Sequence, residues 1–223
     1  VSFVRENSQR INSAILKSKN TLASFVLVVV YIVGIIGIKG NFDERFVLLT
    51  PINLLLSLAL VFWTHPTKYI SLWKLAFLCF TTGVLVEIAG VQTGLVFGDY
   101  QYGEVLGPKI WETPWMIGIN WTMLVYCAGS TVNRLVPSLN IWIKAMLGAM
   151  LMTLLDLLIE PVAMELNFWN WQNNIIPLQN YFAWFFVALP LLVAYFKLLG
   201  KTTNKVAILL FILQFIFFGI LQL

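Results

Sequence analysis

Apolar residues in this chain run in long unbroken blocks, and seven blocks stand out: 22–38, 46–63, 70–91, 113–133, 141–159, 178–199 and 206–223. A helix of about 20 residues, rising about 1.5 Å per residue, crosses a hydrocarbon core of about 30 Å. The pattern therefore predicts an all-α polytopic membrane protein of about seven transmembrane helices. The blocks are apolar around their full circumference, as contact with lipid requires. No internal repeat is visible. The first block carries no cleavage-site pattern and reads as a helix rather than a signal peptide. The sequence starts at Val1 rather than Met, so its start is read as trimmed.

Composition supports this reading. Of 223 residues, 60% are hydrophobic and only 11% charged, against about 45–50% and about 25% in a soluble domain. One transmembrane domain over residues 1–223 is expected, with 1–21 as a cytoplasmic N-terminal segment and 83–184 as the region bearing motifs. There is one histidine, His65, too few for an iron centre of the membrane desaturase kind. Cys79 and Cys127 sit inside apolar blocks and read as buried reduced thiols. Neither a dinucleotide fingerprint nor a phosphate-binding loop is present. Chemistry here falls to carboxylates, amides, aromatics and water, with no cofactor and no metal.

The net charge of +4 is scattered between apolar blocks, so it reads as topology and not as a nucleic-acid surface. With the N-terminus inside, Arg5, Arg10, Lys17, Lys19, Lys68, Lys74, Arg134, Lys144, Lys197, Lys201 and Lys205 lie inside, against Lys39, Arg45 and Lys109 outside. Eleven against three is a positive-inside bias. Seven spans then leave the C-terminus outside.

This orientation brings polar groups together. Glu87 is expected about 6 Å inside the outer end of the third span and Asn120 about 10 Å inside the outer start of the fourth. Asp156 falls three residues before the outer end of the fifth, with Glu160 just past it. Carboxylates at membrane depth are costly and mark functional sites. Glu87 reads either as a structural acid bonded to a neighbouring helix or as a buried acid that holds and donates a proton. Asp156 and Glu160 share a helical face at i and i+4. Two such carboxylates repel when both are ionised, so one tends to keep its proton. The alternative is a helix end with two solvated acids, ended by Pro161. Their spacing also faintly matches magnesium-dependent prenyltransferases, but a second acidic cluster is missing.

Residues 83–107 hold six of the fourteen glycines, which suggests a tightly folded or re-entrant segment lining a pocket. Thr113 and Pro114 look like a helix N-cap and first-turn proline. Asn120 could orient a water or bridge helices. Residues 167–171 read as an interfacial aromatic belt, and the tryptophans could also stabilise a carbocation through their π-faces. Lys205 lies at the inner edge of the last span, so a retinal Schiff base is rejected despite the seven spans.

The string Glu87, Gly90, Thr93, Gly94, Phe97, Gly98, Tyr100, Tyr102, in the spacing E-x-x-G-x-x-T-G-x-x-F-G-x-Y-x-Y, resembles the integral-membrane carotenoid biosynthesis proteins that include the carotenoid 1′,2′-hydratases. Asp156-x-x-x-Glu160-Pro161 looks like a second signature, and Trp169-x-Trp171 with Pro177, Asn180, Tyr181 and Trp184 a third. The motifs cover about the middle half of the chain. The resemblance implies cofactor-free hydration of the acyclic ψ end of γ-carotene, lycopene or a similar carotenoid. Glu87, Asp156, Glu160 and Asn120 are then the catalytic candidates. Thr93, Gly94, Phe97, Gly98, Tyr100, Tyr102, Trp121, Trp171, Asn180 and Trp184 would bind substrate. The expected partners are a lipid-soluble carotenoid, membrane lipids and other carotenoid-pathway enzymes, in a bacterial inner membrane. A lycopene cyclase-type isomerase, or a carotenoid-binding or transport protein, is the alternative.

Overall fold

The computed structural model describes residues 2–40, 44–66 and 69–223, leaving aside the side chains of 2–13 and 44. Arg5, Arg10 and Lys68, three of the inside charges, lie outside the described side chains. Among the described residues there are seven α-helices: α1 (Ser2–Lys39), α2 (Thr50–Trp63), α3 (Tyr69–Thr93), α4 (Met116–Leu135), α5 (Ile141–Glu165), α6 (Leu178–Leu199) and α7 (Lys205–Leu221). Among the described residues five apolar segments are long enough to cross a membrane: Ala14–Lys39, Arg45–Trp63, Tyr69–Thr93, Ile141–Glu165 and Leu178–Leu199. The chain is a membrane protein. The outer helices carry exposed Phe25, Ile52, Phe77, Phe182 and Phe186, the surface that lipid covers.

The other two helices depart from that pattern for different reasons. α7 is a shorter apolar helix of 17 residues. α4 is the centre of the bundle, in contact with α2, α3, α5, α6 and α7. Fifteen of its twenty residues are buried, so protein and not lipid surrounds it, and it tolerates Asn120, Thr122, Ser130 and Asn133.

α1 is helical from Ser2, through the segment expected to be cytoplasmic, and its membrane-length apolar stretch begins at Ala14. Two boundaries differ from the sequence reading. Thr113 and Pro114 do not cap α4: they form a short strand that pairs with Lys109–Ile110, and the N-cap residue is Trp115, without a side-chain bond. Pro161 does not end α5, which runs on to Glu165. The proline removes the N–H that would reach back one turn. Ile159, Glu160, Val162 and Ala163 are all buried against the bundle, and that packing holds the helix through the gap.

The strands among the described residues are β1 (Tyr100–Tyr102), β2 (Lys109–Ile110), β3 (Thr113–Pro114) and β4 (Trp169–Trp171). β1 and β4 form an antiparallel ribbon pairing Tyr100 with Trp171, Gln101 with Asn170 and Tyr102 with Trp169. Strand side chains alternate between faces, so four aromatics point into the bundle while Gln101 and Asn170 point out. The glycine-rich segment thus bends back from α3 and enters a ribbon.

A buried polar knot closes the end of the bundle away from the β1–β4 ribbon. Asn204 caps α7 by accepting from the Val206 and Ala207 amides at 2.9 and 3.3 Å. Its amide nitrogen donates to the Val61 carbonyl at 2.9 Å. His65 Nδ1 lies 2.6 Å from the Tyr126 hydroxyl. Lys144 donates to Asn133 Oδ1 and the Pro137 carbonyl at 3.0 and 2.8 Å. Cys79 and Cys127 are both buried and free.

Candidate active site

Where α3 and α5 end and α4 and α6 begin, three carboxylates are buried together: Glu87, Asp156 and Glu160, with at most 4% exposure each. Glu87 Oε2 accepts from the Tyr100 and Tyr102 hydroxyls at 2.6 and 2.7 Å, and Oε1 from the Trp121 indole at 3.0 Å. Glu160 Oε2 accepts from the Trp169 and Trp171 indoles at 2.9 and 2.6 Å. The Asn180 amide bridges the remaining pair, donating to Glu160 Oε1 at 2.9 Å and to Asp156 Oδ2 at 2.8 Å. Asp156 Oδ1 is buried without a partner. Glu87 and Glu160 therefore each receive three donors, and Asp156 only one.

The reading of Asp156 and Glu160 as solvated acids at a helix end is overturned, because α5 continues past them and both are buried. The reading of residues 167–171 as an interfacial belt fails for Trp169 and Trp171, which turn inward and bond Glu160. Their W-x-W spacing is the strand alternation that could have revealed this. Trp169, not among the expected binding residues, belongs to the site for that reason.

Glu87, Glu160, Phe97, Tyr100, Tyr102, Trp171, Asn180 and Trp184 line one cavity of about 20 Å³ with Ile117 and Trp169. That is room for about one water. Trp121 stands behind it and stacks on Trp184, with centroids 4.5 Å apart and planes 22° apart. Asp156 lies behind Asn180 and is not part of the wall. Burial first, and the Glu87 charge second, push the Tyr100 and Tyr102 phenols well above their ordinary value. They act as neutral donors.

The remaining candidates shape the loop. Thr93 Oγ1 bonds the Ala89 carbonyl and the Leu95 amide at the end of α3. Gly94 then takes a left-handed φ of 66°, with Asp99 packed where a side chain would stand. A Cβ on Gly90 would lie 2.7 Å from the Phe97 ring and 3.0 Å from the Tyr100 hydroxyl, so only glycine lets the segment close over Glu87. Gly98 packs against Pro177 and Trp171.

Two further spaces flank the small cavity. On one side, Tyr100, Tyr102 and Trp171 also wall a polar groove of about 1050 Å³ containing Asp99, Glu104, Lys109 and Glu112. On the other, Ile117 and Trp169 also wall an apolar cavity of about 70 Å³ between α1, α2, α4, α5 and α7. Asn120 faces this second cavity and not the carboxylates.

The carotenoid biosynthesis protein family matches residues 48–223, and the chain belongs to that family. It is also similar to a bisanhydrobacterioruberin hydratase of Haloarcula japonica, with 31% identity over 105 residues, covering 44% of this chain and 36% of that protein. The match thus spans just over a third of the relative's length. No solved structure matches the chain.

Proposed function

We propose that this chain is a cofactor-free carotenoid hydratase, adding water across the terminal 1′,2′ double bond of an acyclic ψ end. The observation that carries the reading is the small cavity with Glu87 and Glu160 in its wall and ring donors around both. The carotenoid family and the hydratase relative support it. Such an alkene is hydrated by protonation of its less substituted carbon, which leaves a tertiary cation. Water then attacks the cation through oxygen and loses a proton to a base, so one water is added and no electrons are gained or lost.

Asp156 and Glu160, joined through one amide, form the proton-holding pair, because two adjacent carboxylates tend to keep one proton between them. Glu160, which reaches the cavity, delivers the proton, and Asp156 acts through it as a positioning residue. Glu87 is the base. Its two phenol partners form the wall shared with the polar groove, the side from which water arrives. Phe97, Trp171 and Trp184 present π-faces to the cation.

Seven spans, an inside N-terminus and an outside C-terminus complete the proposal, with the carboxylates near the outer leaflet of a bacterial inner membrane. The positive-inside count supports that orientation. Cysteines placed at Lys201 or Lys205 should label only from inside; labelling only from outside overturns it.

The function is tested by adding the chain to cells that make γ-carotene or lycopene. A pigment one water heavier with an unchanged chromophore, absent with Glu87→Gln or Glu160→Gln, is the expected result. An isomeric pigment identifies a cyclase. No new pigment from a well-expressed chain points to binding or transport.

A further inference from the structure

Every residue lining the small cavity belongs to a helix or to the β1–β4 ribbon, except Phe97. Phe97 lies in the link 94–99 between α3 and β1. Leu95 in that link is 80% exposed and Phe97 is 2% exposed, so one side of the link faces out while the other plugs the cavity. Among the described residues, 95–98 make no backbone–backbone hydrogen bond. They are fastened instead by a side chain at the start of α6. The Gln179 amide nitrogen donates to the Leu95 and Val96 carbonyls at 2.6 and 3.2 Å. Gly94 and Gly98 bound the span with φ of 66° and 115°, values that glycine adopts freely. A short span with glycine at both ends and one fastening has the form of a hinged flap.

The cavity requires an opening. At about 20 Å³ it holds about one water, and a branched isoprenoid end does not fit. The wall of Tyr100, Tyr102 and Trp171 gives on to the polar groove, which suits water and not hydrocarbon. The flap side is different. Leu95 on the flap and Leu178 beside Gln179 are both exposed, an apolar rim that lipid covers.

We infer that residues 94–98 are a flap latched by Gln179, which swings on its glycines to admit an isoprenoid end from the bilayer between α3 and α6. Phe97 leaves the cavity as the flap opens and returns against Tyr100 as it closes. The inference rests on the hydration reading of the cavity and adds the route in and the residue that controls it. Asn180, next to the latch, bridges Asp156 and Glu160, so the first turn of α6 holds both the flap and the acid pair.

The test is the association rate of lycopene, read by quenching of tryptophan fluorescence, with the full chain in lipid nanodiscs. Leu95→Cys with Gln179→Cys is bridged by a short reducible methanethiosulfonate cross-linker; Cys79 and Cys127 are buried away from the reagent. Bridging should abolish association and reduction should restore it. Gln179→Leu should speed association about two- to tenfold, the weight of the lost latch bonds. Equal rates before and after bridging overturn the inference and place entry on the side of Ile117 and Trp169. A rate unchanged by Gln179→Leu overturns the latch. Product formation is followed on the same samples. Binding blocked by the bridge without any hydrated product from the reduced chain removes the hydration reading and keeps the flap; product formed undiminished by the bridged chain does the reverse.

Discussion

Tyr100 and Trp171 face each other across the β1–β4 ribbon, ring centroids 4.9 Å apart, and each donates its one polar hydrogen to a different glutamate. Tyr100 reaches Glu87 on α3 and Trp171 reaches Glu160 on α5, both at 2.6 Å. One strand pair therefore fixes the distance between two carboxylates from separate helices. The proposed acid–base reaction needs this kind of preorganisation, with both carboxylates held before substrate arrives.

Removing either carboxylate that lines the cavity should abolish most of the rate. Glu87→Gln and Glu160→Gln are each expected to lower turnover by about 100- to 10,000-fold, the range for loss of a positioned acid or base. Asp156→Asn, which acts through Asn180, should lower it less. Product yield per folded molecule checks the order. Equal losses at all three positions would place Asp156 at the reacting atoms.

The two phenols over Glu87 set a pH response. Both belong to β1, and the folded state holds their protons more tightly than the unfolded chain does. Their contribution to stability is therefore full below the ordinary phenol value of about 10 and is lost as pH rises above it. Thermal melts in detergent should fall above about pH 10 in the wild type and fall less in Tyr102→Phe. Parallel curves would contradict the assignment.

Gly90 should be intolerant of any side chain. Gly90→Ala puts a methyl group against Phe97 and the Tyr100 hydroxyl, so it should displace the Tyr100–Glu87 bond and lower activity sharply. The helical bundle does not depend on that bond, and circular dichroism should be unchanged.

The knot at the other end of the bundle should behave in the opposite way. Asn204→Leu removes the cap of α7 and one of two donors to the Val61 carbonyl, which keeps the Thr64 hydroxyl at 3.1 Å. A loss of about 1–3 kcal/mol is expected from a cap plus one lost buried hydrogen bond. Denaturation should show it, while activity per folded molecule stays at the wild-type level.

The helices were legible in the sequence because lipid imposes a simple length and polarity rule. The block 178–199 coincides with α6, and most others differ by a few residues. α4 was legible as a helix but not as the buried centre, since apolar content does not say what surrounds it. The helix-ending reading of Pro161 failed because tertiary packing overrode a local rule. The carboxylates were legible one by one, as polar residues in apolar blocks. Their partners were not, because Trp169 and Trp171 reach Glu160 only through a ribbon whose paired residues Tyr100 and Trp171 are 71 positions apart. Asn120 was expected at the depth of the carboxylates, and it lines the apolar cavity instead, because depth along α4 does not say which side of the helix a residue occupies.

The central claim is tested most directly with purified chain, a ψ-end carotenoid and water enriched in heavy oxygen. The account predicts a product with one heavy oxygen at the tertiary carbon, formed by the wild type and not by Glu87→Gln. A product isomeric with the substrate and free of the label, or labelled product formed undiminished by Glu87→Gln, would contradict it.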